Sequence, residues 1–385
     1  MSEKYCIILG DGMADEPLAE LSGMTPLEAA HTPNMDYIAR EGSMGLLKTV
    51  PEGYSPGSDI ANLSVLGYDP VSCYTGRGAL EAASMGITLG DEDVAYRCNL
   101  VTIRNGIIED FNAGHISSEE GAALLTSLNK HLTGMICYPG ISYRNLIVLP
   151  GGKGCESTAP HDVTGQQAEL YLPKGSDAEK LLKAMEISRE IFADHPVNRD
   201  RIRREKNPAT SIWPWSGGKH PAIQPFSDIF GLKGGIISAV DLLNGIGTYA
   251  KMEIIKVPGA TGFIDTDYQA KARYAIEALK YLDFLFIHVE APDEAGHMGS
   301  IEEKVKAIER VDEMIGTIMS QFTGRIAVLP DHPTPIRIKT HTADPVPFAI
   351  LGKEKDTTTR FSEKEGQKGK YGLLPGTSLI PLLIS

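Results

Sequence analysis

The sequence predicts an α/β fold: a mainly parallel sheet with helices on both faces, interrupted by an inserted α+β domain. Short apolar runs alternate with amphipathic helical patterns at both ends of the chain. Several of those runs stop directly at Asp, Glu or His. The middle of the chain changes character, with the hairpin dipeptide Asn105-Gly106 and longer charged helical stretches. Alternation of strand and helix implies parallel strands joined by crossovers, whereas a two-residue turn belongs to an antiparallel pair.

Taken in order, Lys4 to Gly10 reads as a buried strand that ends in a tight turn at Asp11-Gly12. Thr32-Pro33 opens a helix closed at Gly42, with Thr32 expected as N-cap and Pro33 in the first turn. A strand is expected near Gly45–Val50, and after the loop Pro51–Gly57 a helix begins at Ser58 and runs towards Leu66. Towards the C-terminus, Ile236–Val240, Met252–Val257, Phe284–Val289, Ile326–Leu329 and Pro347–Leu351 read as strands. Asp267–Leu282 reads as a helix, and Ser300 is expected to cap a long one reaching about Phe322.

The middle segment carries expected strands at Ala95–Ile103, Ile107–Phe111 and Tyr143–Leu149, with helices at Ser117–Leu132 and Asp177–Asp194. Asn207–His220, with Pro208, Pro214, Gly217 and Gly218, reads as a return linker. The expected organisation is therefore one domain from residues 1–90 and 213–385, and a second, inserted domain from 91–212. At 385 residues two domains are also the default for a chain of this length.

Composition narrows the function. A net charge of −13 argues against a nucleic-acid partner, which needs clustered Lys and Arg. No apolar run is long enough to span a bilayer, and Met1-Ser2-Glu3-Lys4 lacks the basic and apolar regions of a signal peptide, so the expected location is cytoplasmic with no membrane partner. Five cysteines without a CxxC pair fit neither a disulfide framework nor a thiolate zinc site. Gly76-Arg77-Gly78 lacks the third glycine of a dinucleotide loop, no GxxxxGK[ST] occurs, and Gly57-Ser58 lacks the GxSxG elbow.

The chemistry-bearing residues are those that follow strands. Asp11, Glu290/Asp293 and Asp331/His332 each lie just beyond the carboxyl end of an expected strand, the edge where open α/β sheets bind ligands. Asp293 and His297 are four apart, so a helical turn there lets both face one cation. Alone, that pair is equally an N-cap and a surface histidine, and Asp331-His332-Pro333 reads more readily as a turn. His341 follows shortly after. Carboxylates with imidazoles suit Mn²⁺ or Zn²⁺, and a carboxylate-rich set with a hydroxyl also accepts Mg²⁺. Ser58 has the composition of an N-cap, but a hydroxyl at a helix start also sits where free amides and the dipole stabilise a phosphate.

The order Asp11, Ser58, Asp293…His297, Asp331-His332, His341 resembles the metal-ligand order of the alkaline phosphatase superfamily. Gly57-Ser58-Asp59-Ile60-Ala61-Asn62-Leu63, Leu66-Gly67-Tyr68-Asp69-Pro70, Gly76-Arg77-Gly78, Pro160-His161-Asp162, Asn198 with Arg201, and Trp213-Pro214-Trp215 make the chain more closely similar to the archaeal-type cofactor-independent phosphoglycerate mutases. The likeness covers nearly the whole chain.

The resemblance implies an alkaline-phosphatase-like fold and two divalent ions, Mn²⁺ or Mg²⁺ with Zn²⁺ as an option. Asp293, His297 and His341 would hold one ion; Asp11, Ser58, Asp331 and His332 would hold the other. Ser58 would take phosphate from 3-phosphoglycerate and return it to the 2-hydroxyl, with no bisphosphoglycerate required. His161 and Asp162 are the candidates for proton transfer and glycerate binding, and Arg144, Arg201 and Lys233 for anion contacts. The implied partner is a small phosphorylated metabolite; the sequence does not set an oligomeric state. Some relatives are labelled proposed homoserine kinases, so a phosphotransferase to homoserine or another small alcohol, a phosphomonoesterase, and a non-catalytic binder of phosphometabolites are the alternatives.

Overall fold

A computed structural model describes residues 3–385. It divides into two compact units, one made of the described residues up to Tyr74 with Ala222–Ser385, the other of Thr75–Pro221. Strands β1 (Tyr5–Gly10) and β2 (Ser43–Lys48) precede the second unit. Within it lie β3 (Val94–Arg104), β4 (Ile107–Asp110), β5 (Ile136–Ile141), β6 (Arg144–Leu149) and β7 (Ser211–Lys219). After it come β8 (Gly234–Ile237), β9 (Glu253–Ile254), β10 (Phe284–Val289), β11 (Arg325–Leu329), β12 (Val346–Leu351) and β13 (Leu373–Pro375).

The first unit holds a sheet of order β13-β2-β12-β11-β1-β10-β8-β9. β1 runs parallel to β10 on one side and to β11 on the other, with Tyr5 opposite both Phe284 and Arg325. β12 is antiparallel to β11 and β2, so the sheet is mainly parallel with one reversed strand. All of β1 and β10 is buried, which is why their sequences show apolar runs rather than alternation. Cys6, Ile8, Leu285, Ile287 and Val328 share one core with helices Pro33–Glu41, Tyr268–Ala278 and Ile301–Met319. The intervening Ile7, Leu9, Phe284 and Phe286 are buried too. Each such side chain contributes about 1.5–3 kcal/mol on burial, enough together to fix the register of the central strands.

One helix start differs from expectation. Thr32 makes no capping bond to helix Pro33–Glu41. The carboxylate of Asp312, far along the chain on helix Ile301–Met319, accepts the amides of Asn34 at 3.0 Å and Met35 at 2.7 Å instead. A full negative charge serves the positive helix end better than a hydroxyl. Ser300 does cap its helix, accepting the Glu303 amide at 3.2 Å.

In the second unit β3 pairs with β6 and β7, while β4 continues from it through Asn105 and Gly106, whose φ values of 51° and 78° are those the turn demands. Helix Ser118–Asn129 starts with a capping box between Ser117 and Glu120. A separate core contains Tyr96, Leu100, Leu125, Phe192 and Trp213. The stretch expected as a return linker is largely strand β7, which pairs with β3 along one side. Pro214 is tolerated there because an edge strand has one side free of ladder bonds. Helix Arg77–Ser84 also belongs to this unit, since it packs on β3 and β7. Gly78 permits that packing: a Cβ there would lie 2.0 Å from the Ala95 carbonyl oxygen. The unit borders thus fall at 74/75 and 221/222, outside the expected 90/91 and 212/213. Among the described residues no helix is long and apolar enough to cross a membrane.

Candidate metal centre

Because β10, β1 and β11 are neighbours in register, the residues following Val289, Gly10 and Leu329 meet at one edge of the sheet. The Asp11 amide prolongs the ladder by donating to the Val289 carbonyl at 2.9 Å. Asp11, Asp293, Asp331 and His332 are all buried there. Gly12 has a φ of 60°, and a Cβ on it would lie 2.6 Å from both Asp293 Oδ1 and Thr334 Oγ1, so this turn requires glycine.

Helix Ser58–Val65 has Gly57 as its N-cap, and Ser58 is its first helical residue. The Ser58 hydroxyl donates to Asp11 Oδ2 at 3.2 Å and lies 3.2 Å from His332 Nε2. One turn on, buried Asn62 donates from Nδ2 to the Ser58 carbonyl and to Asp331 Oδ2, both at 2.8 Å. Asp331 Oδ1 accepts the amides of Gly12 at 3.2 Å and His332 at 2.9 Å.

A second group adjoins the first. Helix Ala291–Met298 presents Asp293 and His297 on one face, with His297 Nε2 3.1 Å from Asp293 Oδ2. His341 Nε2 lies 3.5 Å from Asp293 Oδ1 and 3.0 Å from His297 Nε2. The Thr334 hydroxyl donates to Asp293 Oδ1 and sits 3.3 Å from His332 Nδ1. Asp11, Asp331 and His332, and likewise Asp293, His332 and His341, place ligand atoms within 4.8 Å of one another.

These groups fit cations. Asp11 Oδ1 is buried and lacks a hydrogen-bond partner. Burial raises the Asp11 carboxyl, and the neighbouring Asp331 raises it further. Glu290 is pushed up to about 8 by burial and by Asp293. Buried carboxylates crowd in this way at the cost of mutual repulsion, which a divalent ion removes. Burial also acts to raise Asp293, but hydrogen bonds from His297 and His341 hold it well below the usual carboxylate range. His297 goes up to about 9 through its bond to Asp293, against burial. Facing imidazole nitrogens 3.0 Å apart, both turned to one carboxylate, form a nitrogen-oxygen donor set suited to Mn²⁺ or Zn²⁺.

Three supporting residues carry weaker sequence signals. Within the apolar run of β10, His288 places Nε2 3.0 Å from Asp11 Oδ2, and burial pushes its imidazole down to about 4. Its carbonyl accepts from buried Lys271 at 2.8 Å. Asn62 is a buried amide on a helix face that otherwise reads as core. A polar side chain inside an apolar pattern is the signal for His288 and Asn62.

The remaining expected residues are dispersed. Arg201 is buried and bonded through all three nitrogens, with Nε donating to the Asn207 carbonyl, Nη2 to those of Ala113 and Gly114, and Nη1 paired with Glu120. It staples the insert and has no donor turned outward. Lys233 precedes β8, and its carbonyl accepts from Asp283 and Phe284 at the start of β10, so it stands at the amino edge of the sheet, opposite the site. In the second unit His161 packs edge-on between Phe111 and Trp215 and lies 3.6 Å from Asp162, while Arg144 opens β6 beside Tyr143. Arg97, which sequence reasoning passed over, stacks 4.0 Å above Trp215 and pairs with Glu81 at 2.9 Å. Burial lowers its guanidinium to about 10. Burial lowers His161, and the charges of Arg97 and Arg77 press the same way, against Asp162.

A family model described as 2,3-bisphosphoglycerate-independent phosphoglycerate mutase matches residues 39–198. Relatives carrying that name include one from Methanothrix thermoacetophila, 51% identical over 99% of this chain and 100% of the relative, and one from Methanosarcina acetivorans, 52% identical over 99% of each. A solved structure from Pyrococcus horikoshii superposes with a TM-score of 0.87 at 31% identity, covering 100% of this chain and 97% of that one. A structure titled cofactor-independent phosphoglycerate mutase, from Thermoplasma acidophilum, gives 0.69 at 25% identity, with coverage of 100% and 99%.

Proposed function

The chain belongs to the 2,3-bisphosphoglycerate-independent phosphoglycerate mutase family, and from that premise we propose that it moves phosphate between the 3- and 2-hydroxyls of glycerate through a phosphoserine at Ser58. The observation that carries the residue assignment is the Ser58 hydroxyl, set at a helix start against Asp11 Oδ2 and His332 Nε2 and beside four more candidate ligands.

In the first half-reaction Ser58 Oγ loses its proton and bonds to phosphorus as the bond from phosphorus to the glycerate 3-oxygen breaks, and that oxygen takes up a proton. In the second, the glycerate 2-hydroxyl loses a proton and bonds to the same phosphorus, while Ser58 Oγ leaves and is reprotonated. Asn62 fixes the start of the Ser58 helix against Asp331, and the positive end of that helix would favour the phosphoryl charge. Asp293, His297 and His341 would hold one divalent ion, and Asp11, Ser58, Asp331 and His332 a second. Such ions, Mn²⁺ or Mg²⁺, supply Lewis acidity that lowers the serine pKa and screens phosphate charge.

We assign substrate binding to the inserted unit, with His161 and Asp162 in proton transfer and Arg97 and Arg144 as anion contacts. Arg97 supports this by being a cation held rigid on an aromatic face, the form in which Arg recognises carboxylate and phosphate. A cytoplasmic address is supported by five unpaired cysteines, four of them buried.

The test is an assay of purified protein with Mn²⁺ and 3-phosphoglycerate, without bisphosphoglycerate, followed by acid quenching and mapping of the phosphorylated residue. Formation of 2-phosphoglycerate with label on Ser58 is expected. No isomerisation, together with ATP-dependent phosphorylation of homoserine, would transfer the assignment to the alternative acceptor.

A further inference from the structure

Lys304 lies in the first turn of helix Ile301–Met319, outside every expected ligand motif, yet it is fully buried. Its ammonium donates to three acceptors: Asp15 Oδ2 at 2.8 Å, the Thr334 carbonyl at 2.8 Å and the Ala14 carbonyl at 3.3 Å. An ammonium has three protons, so none is left for a ligand. The acceptors come from two different loops, the one after β1 that carries Asp11 and the one after β11 that carries Asp331 and His332. Those loops also touch directly, through bridges from Met13 and Ala14 to Pro333 and a bond from the Thr334 amide to the Ala14 carbonyl at 3.2 Å. Thr334 in turn holds Asp293 through its hydroxyl. Asp15 adds to the same knot, since Oδ2 also accepts the Ile336 amide at 3.1 Å and its own amide donates to Glu363 Oε1 at 3.1 Å.

A buried ion pair is weak evidence for stability, because apolar residues of similar volume often serve as well. What an apolar residue cannot do is fix three oxygens from two loops at set distances from one atom. We propose that Lys304 is a positioning residue for the metal centre, tying the Asp11 loop to the Asp331-His332 loop so that ligands from both ends of the chain hold a common geometry. This inference rests on the metal assignment above, and it concerns metal affinity more than chemistry at Ser58.

The test compares the parent enzyme with Lys304→Met, and with the double variant Lys304→Met/Asp15→Asn, which removes the stranded carboxylate charge and keeps an oxygen for the Glu16 amide that Asp15 Oδ1 accepts at 2.8 Å. Three quantities are read: the unfolding midpoint without metal, the Mn²⁺ dissociation constant by calorimetry, and the Mn²⁺ concentration giving half-maximal turnover. The expected result is a midpoint partly or wholly restored in the double variant, with Mn²⁺ affinity still about 10- to 100-fold weaker in both, the size usual for residues that orient metal ligands. Turnover should recover towards the parent value as Mn²⁺ is raised. Mn²⁺ affinity that returns together with the midpoint would overturn the proposal and leave Lys304 a stabilising ion pair only. Affinity unchanged in a folded Lys304→Met protein would overturn it as well. A parent enzyme that binds no divalent ion would overturn the metal assignment itself, a result distinct from either.

Discussion

Ser58 Oγ and Asp11 Oδ2, 47 residues apart in the chain, stand 3.2 Å apart at the carboxyl edge of the central strand. Because Gly57 rather than Ser58 occupies the cap position, the serine hydroxyl is free of the helix-capping duty that its sequence context suggests. Ser58→Ala should therefore lower turnover by at least about 10⁴-fold, the scale for loss of a nucleophile. It should change stability by no more than about 0.5 kcal/mol, as a substitution outside a cap or core contact does. Activity and denaturant unfolding measured on the same preparation check both. A stability loss of cap size with partial activity would restore the capping role.

Asp331 accepts bonds from Asn62, the Gly12 amide and the His332 amide, so its carboxylate is oriented before any ion arrives. Asp331→Asn puts an amide nitrogen against one of those donors and removes a negative charge. Mn²⁺ binding should weaken by two orders of magnitude or more, about 3 kcal/mol, with a smaller change in fold stability. Calorimetric titration of the apoprotein decides it, and an unaltered stoichiometry and affinity would count against this ligand.

Glu363 accepts the Asp15 amide at 3.1 Å and the Thr25 hydroxyl at 2.8 Å. Burial raises its carboxyl from 4.5 to about 7. Between those values the folded chain retains a proton that the unfolded chain has released. Its contribution is therefore most favourable below pH 4.5, declines as pH rises to about 7, and is constant above. Glu363→Gln should remove that decline, leaving the variant at least as stable as the parent at pH 8, by urea unfolding across the range. Superimposable pH profiles would show the carboxylate to be ionised throughout.

Two arginines of the insert should part company. Arg201→Met strands three carbonyls and leaves the partly exposed Glu120 carboxylate to Arg204 alone, and should cost about 2–4 kcal/mol of stability, while leaving KM within about twofold in whatever protein folds. Arg97→Met should instead raise KM for 3-phosphoglycerate by about tenfold, the loss of a charge-assisted contact. Steady-state kinetics on both, with thermal unfolding as the companion measurement, distinguish a staple from a substrate contact.

Asp312→Ala removes the remote cap of helix Pro33–Glu41 and should cost about 1–2 kcal/mol, whereas Thr32→Ala should be nearly silent. Equal losses in the two variants by chemical denaturation would return the cap to Thr32.

What the sequence discloses follows the range of the interactions. Strand ends are legible because an apolar run broken by Asp11, or by Asp331-His332, states both where the strand stops and what stands there. His288 and Asn62 escape because they sit inside patterns that read as core, and their partners lie on other elements. The Asp312 cap escapes for the same reason: its two acceptances cross nearly 280 residues. β7 misleads because Pro214, Gly217 and Gly218 are turn residues everywhere except on an edge strand. Arg201 and Lys233 show that an isolated basic residue carries no signal of whether it is buried, bonded or at the wrong end of a sheet.

The central place of β1 bears on the order in which a ribosome delivers this protein. Its parallel neighbours begin at Phe284 and Arg325, so β1 is left without either lateral partner until those distant segments have emerged. The insert, with strands and core drawn from Thr75–Pro221 alone, can condense meanwhile. Ser58 thus waits, complete in itself, for Asp331 and His332 to be made. A nascent chain that has not reached residue 332 carries Ser58 without Asp331 and His332, so the site proposed above assembles only after both stretches of the chain have been made.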